Sequence, residues 1–66
     1  MIIRINGKEE TTDKIGNLAE LILDKGLMPE HIVVEHNFRI APSGEWSGIR
    51  LKENDNIEII SFVGGG

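Results

Sequence analysis

Only one stretch of this sequence carries helical apolar spacing. Ile15, Leu18, Ala19 and Ile22 fall at i, i+3, i+4 and i+7, and Leu21 widens the stripe, the pattern of a helix with one buried face. The remaining apolar residues lie in short alternating or β-branched runs. A single helix with one apolar face can cover one side of one sheet, so the economical solution is two layers, a mixed sheet with a helix packed across it.

The runs on either side of the helix fix the order of elements. Met1, Ile3 and Ile5 alternate with Ile2, Arg4 and Asn6, which predicts a strand with a strong inner face. Asn6-Gly7 suits the positive φ angles of a two-residue type I′ turn, and the polar Lys8 to Thr12 run reads as a short returning edge strand. The spacing predicts a helix from Asp13, with Asp13 as its cap, Gly16 inside it at a cost of about 1 kcal/mol relative to Ala, and Lys25-Gly26 as its end. Pro29 prevents its continuation. His31 to Asn37, with Ile32-Val33-Val34, suits a central, covered strand. Asn37-Phe38 turns the chain, and Arg39 to Ala41 forms a very short strand. Ser43 to Gly48 reads as a loop or 3₁₀ turn. Asn54 tolerates a left-handed turn within Lys52 to Asp55, and Ile57 to Val63 forms the last strand. The order β-β-α-β-(β)-β, with the last strand beside the first, is that of a β-grasp fold of four to five strands in the α+β class. Residues 1–63 are expected to form this domain and 64–66 a flexible C-terminal glycine tail.

Composition narrows the function. Seven basic residues against 11 acidic ones give a formal charge of −4. This is a poor footprint for nucleic acid, which is bound through cations that displace counterions, and an anionic membrane would repel it. No partner of either kind is expected. The 66 residues contain no Cys, which removes disulfides, thiolate metal sites and a Cys nucleophile. No apolar run approaches the roughly 18 residues of a membrane span, and Met1-Ile2-Ile3-Arg4 lacks a basic leader region, so the expected location is cytoplasmic and the free chain is expected to be a monomer.

Enzyme constellations are missing. His31 and His36 are five apart on one expected strand, so they point to opposite faces and are expected to be solvent-exposed. Ser43, Ser47 and Ser61 have no positioned base, and a chain this small has little room for a cleft of several hundred Å³. No catalytic residue, metal ligand or bound cofactor is assigned. The Gly64-Gly65-Gly66 end differs, because three consecutive glycines at one place arise by chance with a probability of only about 3 × 10⁻⁴ at a background of ~7%. Without side chains, such a tail reaches roughly 10 Å in extended form and can enter a narrow channel. There the Gly66 carboxylate can be activated as a mixed anhydride and attacked by a nucleophile. On the strand before it, Ile57 and Ile59 share the face turned to the core. Ile60 and Phe62 then face outward beside the tail, as a docking patch. Trp46 reads as core or lid packing.

With this order, length and tail, the sequence resembles the ThiS family, the ubiquitin-like sulfur carriers of thiamine biosynthesis. The resemblance is carried by Val34-Glu35, Asn37, Ile40-Ala41-Pro42, Glu45-Trp46, Leu51-Lys52, Asp55 and Phe62-Val63-Gly64-Gly65-Gly66. Phe38 and Asn54 stand where the family often has glycine. The resemblance implies that a ubiquitin-activating-type adenylyltransferase, using ATP and magnesium, adenylates Gly66. Sulfur from a donor such as a cysteine desulfurase then converts it to a thiocarboxylate, and thiazole synthase takes up that sulfur. By the same resemblance Gly66 is the covalent site, Gly65 its required neighbour, and Gly64 the extension of the handle. The same chemistry serving molybdopterin, tRNA thiolation or cysteine synthesis is an alternative. A β-grasp interaction module with a non-reactive tail is another.

Overall fold

The computed structural model describes residues 1–62; positions 63–66, and with them Gly64, Gly65 and Gly66, lie outside the described residues. Strand β1 (Ile2–Ile5) pairs antiparallel with β2 (Lys8–Thr11) through the Asn6-Gly7 turn. Both turn residues have positive φ, 51° and 82°, as a type I′ turn requires. Helix α1 (Leu18–Asp24) follows, then a 3₁₀ turn at Pro29–His31, β3 (Ile32–His36), β4 (Arg39–Ile40), a second 3₁₀ segment at Ser43–Gly48, and β5 (Asn56–Ser61). The sheet runs β2-β1-β5-β3-β4, so the last strand is the central one. It pairs parallel with β1 and antiparallel with β3. This is the β-grasp order the sequence implies, with the polar β2 on the edge.

The helix starts later than its apolar spacing suggests. Residues 16–18 are drawn into an extended bridge with 49–51, in which the Leu18 N–H donates to the Ile49 carbonyl (2.9 Å) and the Leu51 N–H to the Gly16 carbonyl (3.0 Å). With the backbone used in this way, the cap is Asn17 and not Asp13. The Asn17 side chain accepts from the Glu20 N–H at 2.9 Å, while Glu20 Oε1 accepts from the Gly16 N–H at 2.7 Å. This is a close relative of the reciprocal capping box. Gly16 therefore lies outside the helix, and the expected penalty of a helical glycine does not arise. The C-terminal end is as expected, with Lys25 as C-cap and Gly26 at φ +70°.

One other expectation is revised. β3 lies between β5 and β4, one place from the edge; Ile32 and Val34 are buried, whereas Val33 is half-buried on the other face. The β3–β4 turn, Asn37-Phe38, has φ values of 52° and 70°, and Phe38 is left 79% exposed.

The core lies between α1 and one face of the sheet. Ile3, Ile5, Val34 and Ile57 rise from the strands to meet Leu18, Leu21 and Ile22 of the helix. Trp46 closes the end of this layer from the second 3₁₀ segment. It is 4% exposed, and its Nε1–H donates to the Ala41 carbonyl at 2.7 Å, so its one polar atom is satisfied. Trp46→Ala removes a large buried side chain and its hydrogen bond. It is expected to lower stability by about 3–5 kcal/mol, a large part of what a small domain has, measured as a shift of the urea midpoint.

Candidate functional site

The site is organised around the end of β5. Alternation along this strand places Ile57, wholly buried, and Ile59, half-buried, toward the helix. Ile60 and Phe62 are thereby turned to the open face, where they are 51% and 59% exposed. The cross-strand register adds neighbours that the sequence reading did not gather. Ile60 faces Val33, and Ile40 faces Glu35 on the same side. Ile2 shares the face with Arg4, which faces Asn56. The open face thus carries Ile2, Val33, Ile40, Ile60 and Phe62 among Arg4, Glu35 and Glu58. Its legible signal was alternation within each strand; the register that joins the strands is a long-range property.

The start of β5 is fixed by a polar cluster. Asp55 is 5% exposed. An ionised carboxylate only accepts, so His36 Nε2–H donates to its Oδ2 at 2.9 Å, and the Lys52 N–H donates to the same oxygen at 2.9 Å. Asn37 Nδ2 donates to Oδ1 at 3.0 Å, while Asn37 Oδ1 accepts from the Asn56 N–H at 2.8 Å. His36 is thus a half-buried partner of Asp55, not the exposed strand residue expected. His31 lies in the 3₁₀ turn before β3. Burial alone would raise the Asp55 carboxyl. The hydrogen bonds from His36, Asn37 and the Lys52 N–H, with the charge of His36, outweigh it and hold the group below its ordinary value.

On the helix side, an open groove of about 620 Å³ runs beside the end of β5, lined among others by Asn6, Lys25, Leu27, His31, Ile59 and Ser61. It is larger than the small size of the chain led one to expect. Its acid Glu10, however, is tied to Lys25 Nζ at 3.0 Å. Among the described residues no three His, Asp or Glu side chains gather as a metal site. No helix among them is long and apolar enough to cross a membrane. What the geometry offers is a rigid central strand with an apolar outer patch at its C-terminal end. Gly64, Gly65 and Gly66 lie past the described part of the strand.

Residues 3–66 match the ThiS family. The chain belongs to the ThiS family. It is 32% identical over 66 residues to the sulfur carrier protein ThiS of Bacillus subtilis, covering 98% of this chain and 100% of that one. It is 33% identical over 66 residues to a thiazole synthase of Magnetococcus marinus, covering 100% of this chain and 20% of that protein. The chain therefore spans about one fifth of the length of the thiazole synthases it matches. The crystal structure of a thiamine biosynthesis protein, ThiS, from Geobacter metallireducens superposes with a TM-score of 0.83 at 29% identity, covering 100% of both chains.

A depressed carboxyl stabilises the fold above its unfolded-state value, near ~3.9, and the contribution is lost as pH falls through the lower folded value. Asp55→Asn removes this dependence. The stability difference between wild type and Asp55→Asn is expected to be about 1–3 kcal/mol at pH 6, and to shrink as the pH is lowered below about 4. Urea titrations of both proteins across that range measure it.

Proposed function

We propose that this chain is a sulfur carrier for thiamine biosynthesis, a protein co-substrate on which other enzymes act. The observation that carries the reading is the match to a ThiS sulfur carrier over 98% of this chain and 100% of that one, with Gly64-Gly65-Gly66 inside the residues that match the family. The working unit is a domain of residues 1–63 that presents residues 64–66 as a handle.

The chemistry resides in the Gly66 carboxylate. A carboxylate is a poor electrophile, so one of its oxygens first attacks the α-phosphate of ATP. Magnesium in the activating enzyme assists this step, and pyrophosphate leaves. The resulting acyl adenylate has a good leaving group: the terminal sulfur of a persulfide on a donor such as a cysteine desulfurase displaces AMP to form an acyl disulfide. A second thiol then attacks the donor-side sulfur, releasing the thiocarboxylate and leaving a disulfide on the donor side. Thiazole synthase is the acceptor. Support for that partner comes from thiazole synthases in which a stretch matching this entire chain occupies 20% of the polypeptide, so carrier-like and synthase sequences occur in one molecule. Glycines at 64–66 offer no side chain to obstruct either active site. The body supplies recognition through Ile60 and Phe62, whose apolar side chains are exposed at the C-terminal end of the central strand. A cytoplasmic location accords with the need for ATP and a sulfur donor.

Reconstitution with the cognate activating enzyme, ATP, magnesium and a sulfur donor is expected to give an intact-mass gain equal to oxygen replaced by sulfur. Deleting Gly65-Gly66 is expected to abolish ATP–pyrophosphate exchange while leaving the far-ultraviolet spectrum and unfolding midpoint unchanged. An unaltered mass in the full-length protein, or exchange preserved in the truncated one, contradicts the reading. Ile60→Ser and Phe62→Ser are expected to raise the KM of the activating enzyme for this protein several-fold. Both side chains are more than half exposed, so stability should change by no more than about 0.5 kcal/mol.

A further inference from the structure

The hairpin turn at Asn6-Gly7 ends β1 before β5 has ended. Along the parallel ladder the Arg4 N–H donates to the Asp55 carbonyl at 2.8 Å, and the Asn6 N–H donates to the Ile57 carbonyl at 2.9 Å. Two residues further along each strand, the Ile59 carbonyl would take its donor from residue 8, and the Ile59 N–H would donate to the carbonyl of residue 6. The turn carries that main chain away into β2. In its place, Asn6 Oδ1 accepts from the Ile59 N–H at 2.7 Å, and Asn6 Nδ2 donates to the Ile59 carbonyl at 3.3 Å. One side-chain amide thus stands in for a missing peptide group and extends the pairing of β5 by a step. Across the strand, the Phe62 N–H donates to the His31 carbonyl at 3.1 Å, so the last residues of β5 are clamped from both sides.

We propose that Asn6 is a positioning residue for modification of the C-terminus: its amide holds β5 at Ile59, so that Ile60 and Phe62 are held in one orientation on the sheet. This inference rests on the sulfur-carrier reading. Two demands select asparagine here. The backbone sits at φ 51°, which Asn and Gly adopt most readily, and the Ile59 peptide needs both a donor and an acceptor. Gly meets only the first demand, and Asp meets the first and half of the second. An extended segment held in place before docking loses less freedom on binding. Release of the clamp therefore weakens association with the activating enzyme, while the step that follows, with the strand held by the partner, proceeds at its former rate.

Asn6→Gly isolates the amide, because glycine accepts the turn geometry without strain. In the free protein, amide hydrogen exchange at Ile59 is expected to accelerate about tenfold, with exchange at the buried Ile3 and Ile57 unchanged. In ATP–pyrophosphate exchange with the cognate activating enzyme, KM for the carrier is expected to rise about tenfold, with kcat within about twofold of wild type. Asn6→Asp, which keeps the acceptor for the Ile59 N–H, is expected to fall between the two in KM. An Asn6→Gly protein with wild-type KM, a loss confined to kcat, or an Ile59 amide no faster than in wild type overturns the proposal. A wild-type protein that accepts no adenylate overturns the sulfur-carrier reading, and the hydrogen-exchange comparison then still decides whether Asn6 clamps β5.

Discussion

Strand β5 is last in sequence and central in space, and most of the molecule depends on that placement. Its backbone is gripped by β1 on one side and β3 on the other, and its Ile57 lies at the bottom of the core with 0% exposure. The parallel pairing of the first and last strands requires a crossover, and the chain between them supplies the helix that covers the sheet. Ordering of the C-terminal segment up to Phe62 is therefore coupled to formation of the whole core. In a chain of this size, where the fraction of surface buried is small, this arrangement gives the most firmly anchored element the task of carrying the terminus.

Polar side chains add to the strand pairing at both ends of β5. Asp55, with His36 and Asn37, fixes the beginning, and Asn6 fixes the last β1-side pair. Both devices work because a side-chain carboxylate or amide can complete hydrogen bonds that the turning backbone abandons. They differ in setting. The Asp55 carboxylate is buried and charged, so its partners compensate a desolvation that would otherwise oppose folding. The Asn6 amide is neutral and near the surface, so its influence is confined to the segment it touches.

Much of this was legible in the residue pattern. The Asn6-Gly7 turn, the inner face of β1, the Gly26 helix end, the burial of Trp46 and the outward facing of Ile60 and Phe62 all follow from local chemistry or period-two alternation. What escaped reading was non-local. Gly16 and Asn17 looked helical because Ile15 continues the apolar stripe, yet their backbone groups are used by residues 49–51. His36 and Asp55 lie 19 residues apart, and no spacing rule joins them. The apolar patch was only half visible, since Ile2 and Ile40 reach it through the register of separate strands. The role proposed for Gly66 rests on composition and family resemblance, since residues 63–66 lie outside the described residues.

The turn between β3 and β4 shows a different economy. Phe38 holds a left-handed backbone that aromatic residues adopt only at a cost of roughly 1–2 kcal/mol, while its ring stands largely in water. Asn37 beside it is bound into the Asp55 cluster, so the loop geometry is imposed from the neighbouring residue and the ring is carried along. Thermodynamic slack therefore resides at one identifiable corner of the molecule, distant in sequence from the terminus. An engineer seeking a hardier scaffold has there a position to relax without touching β5.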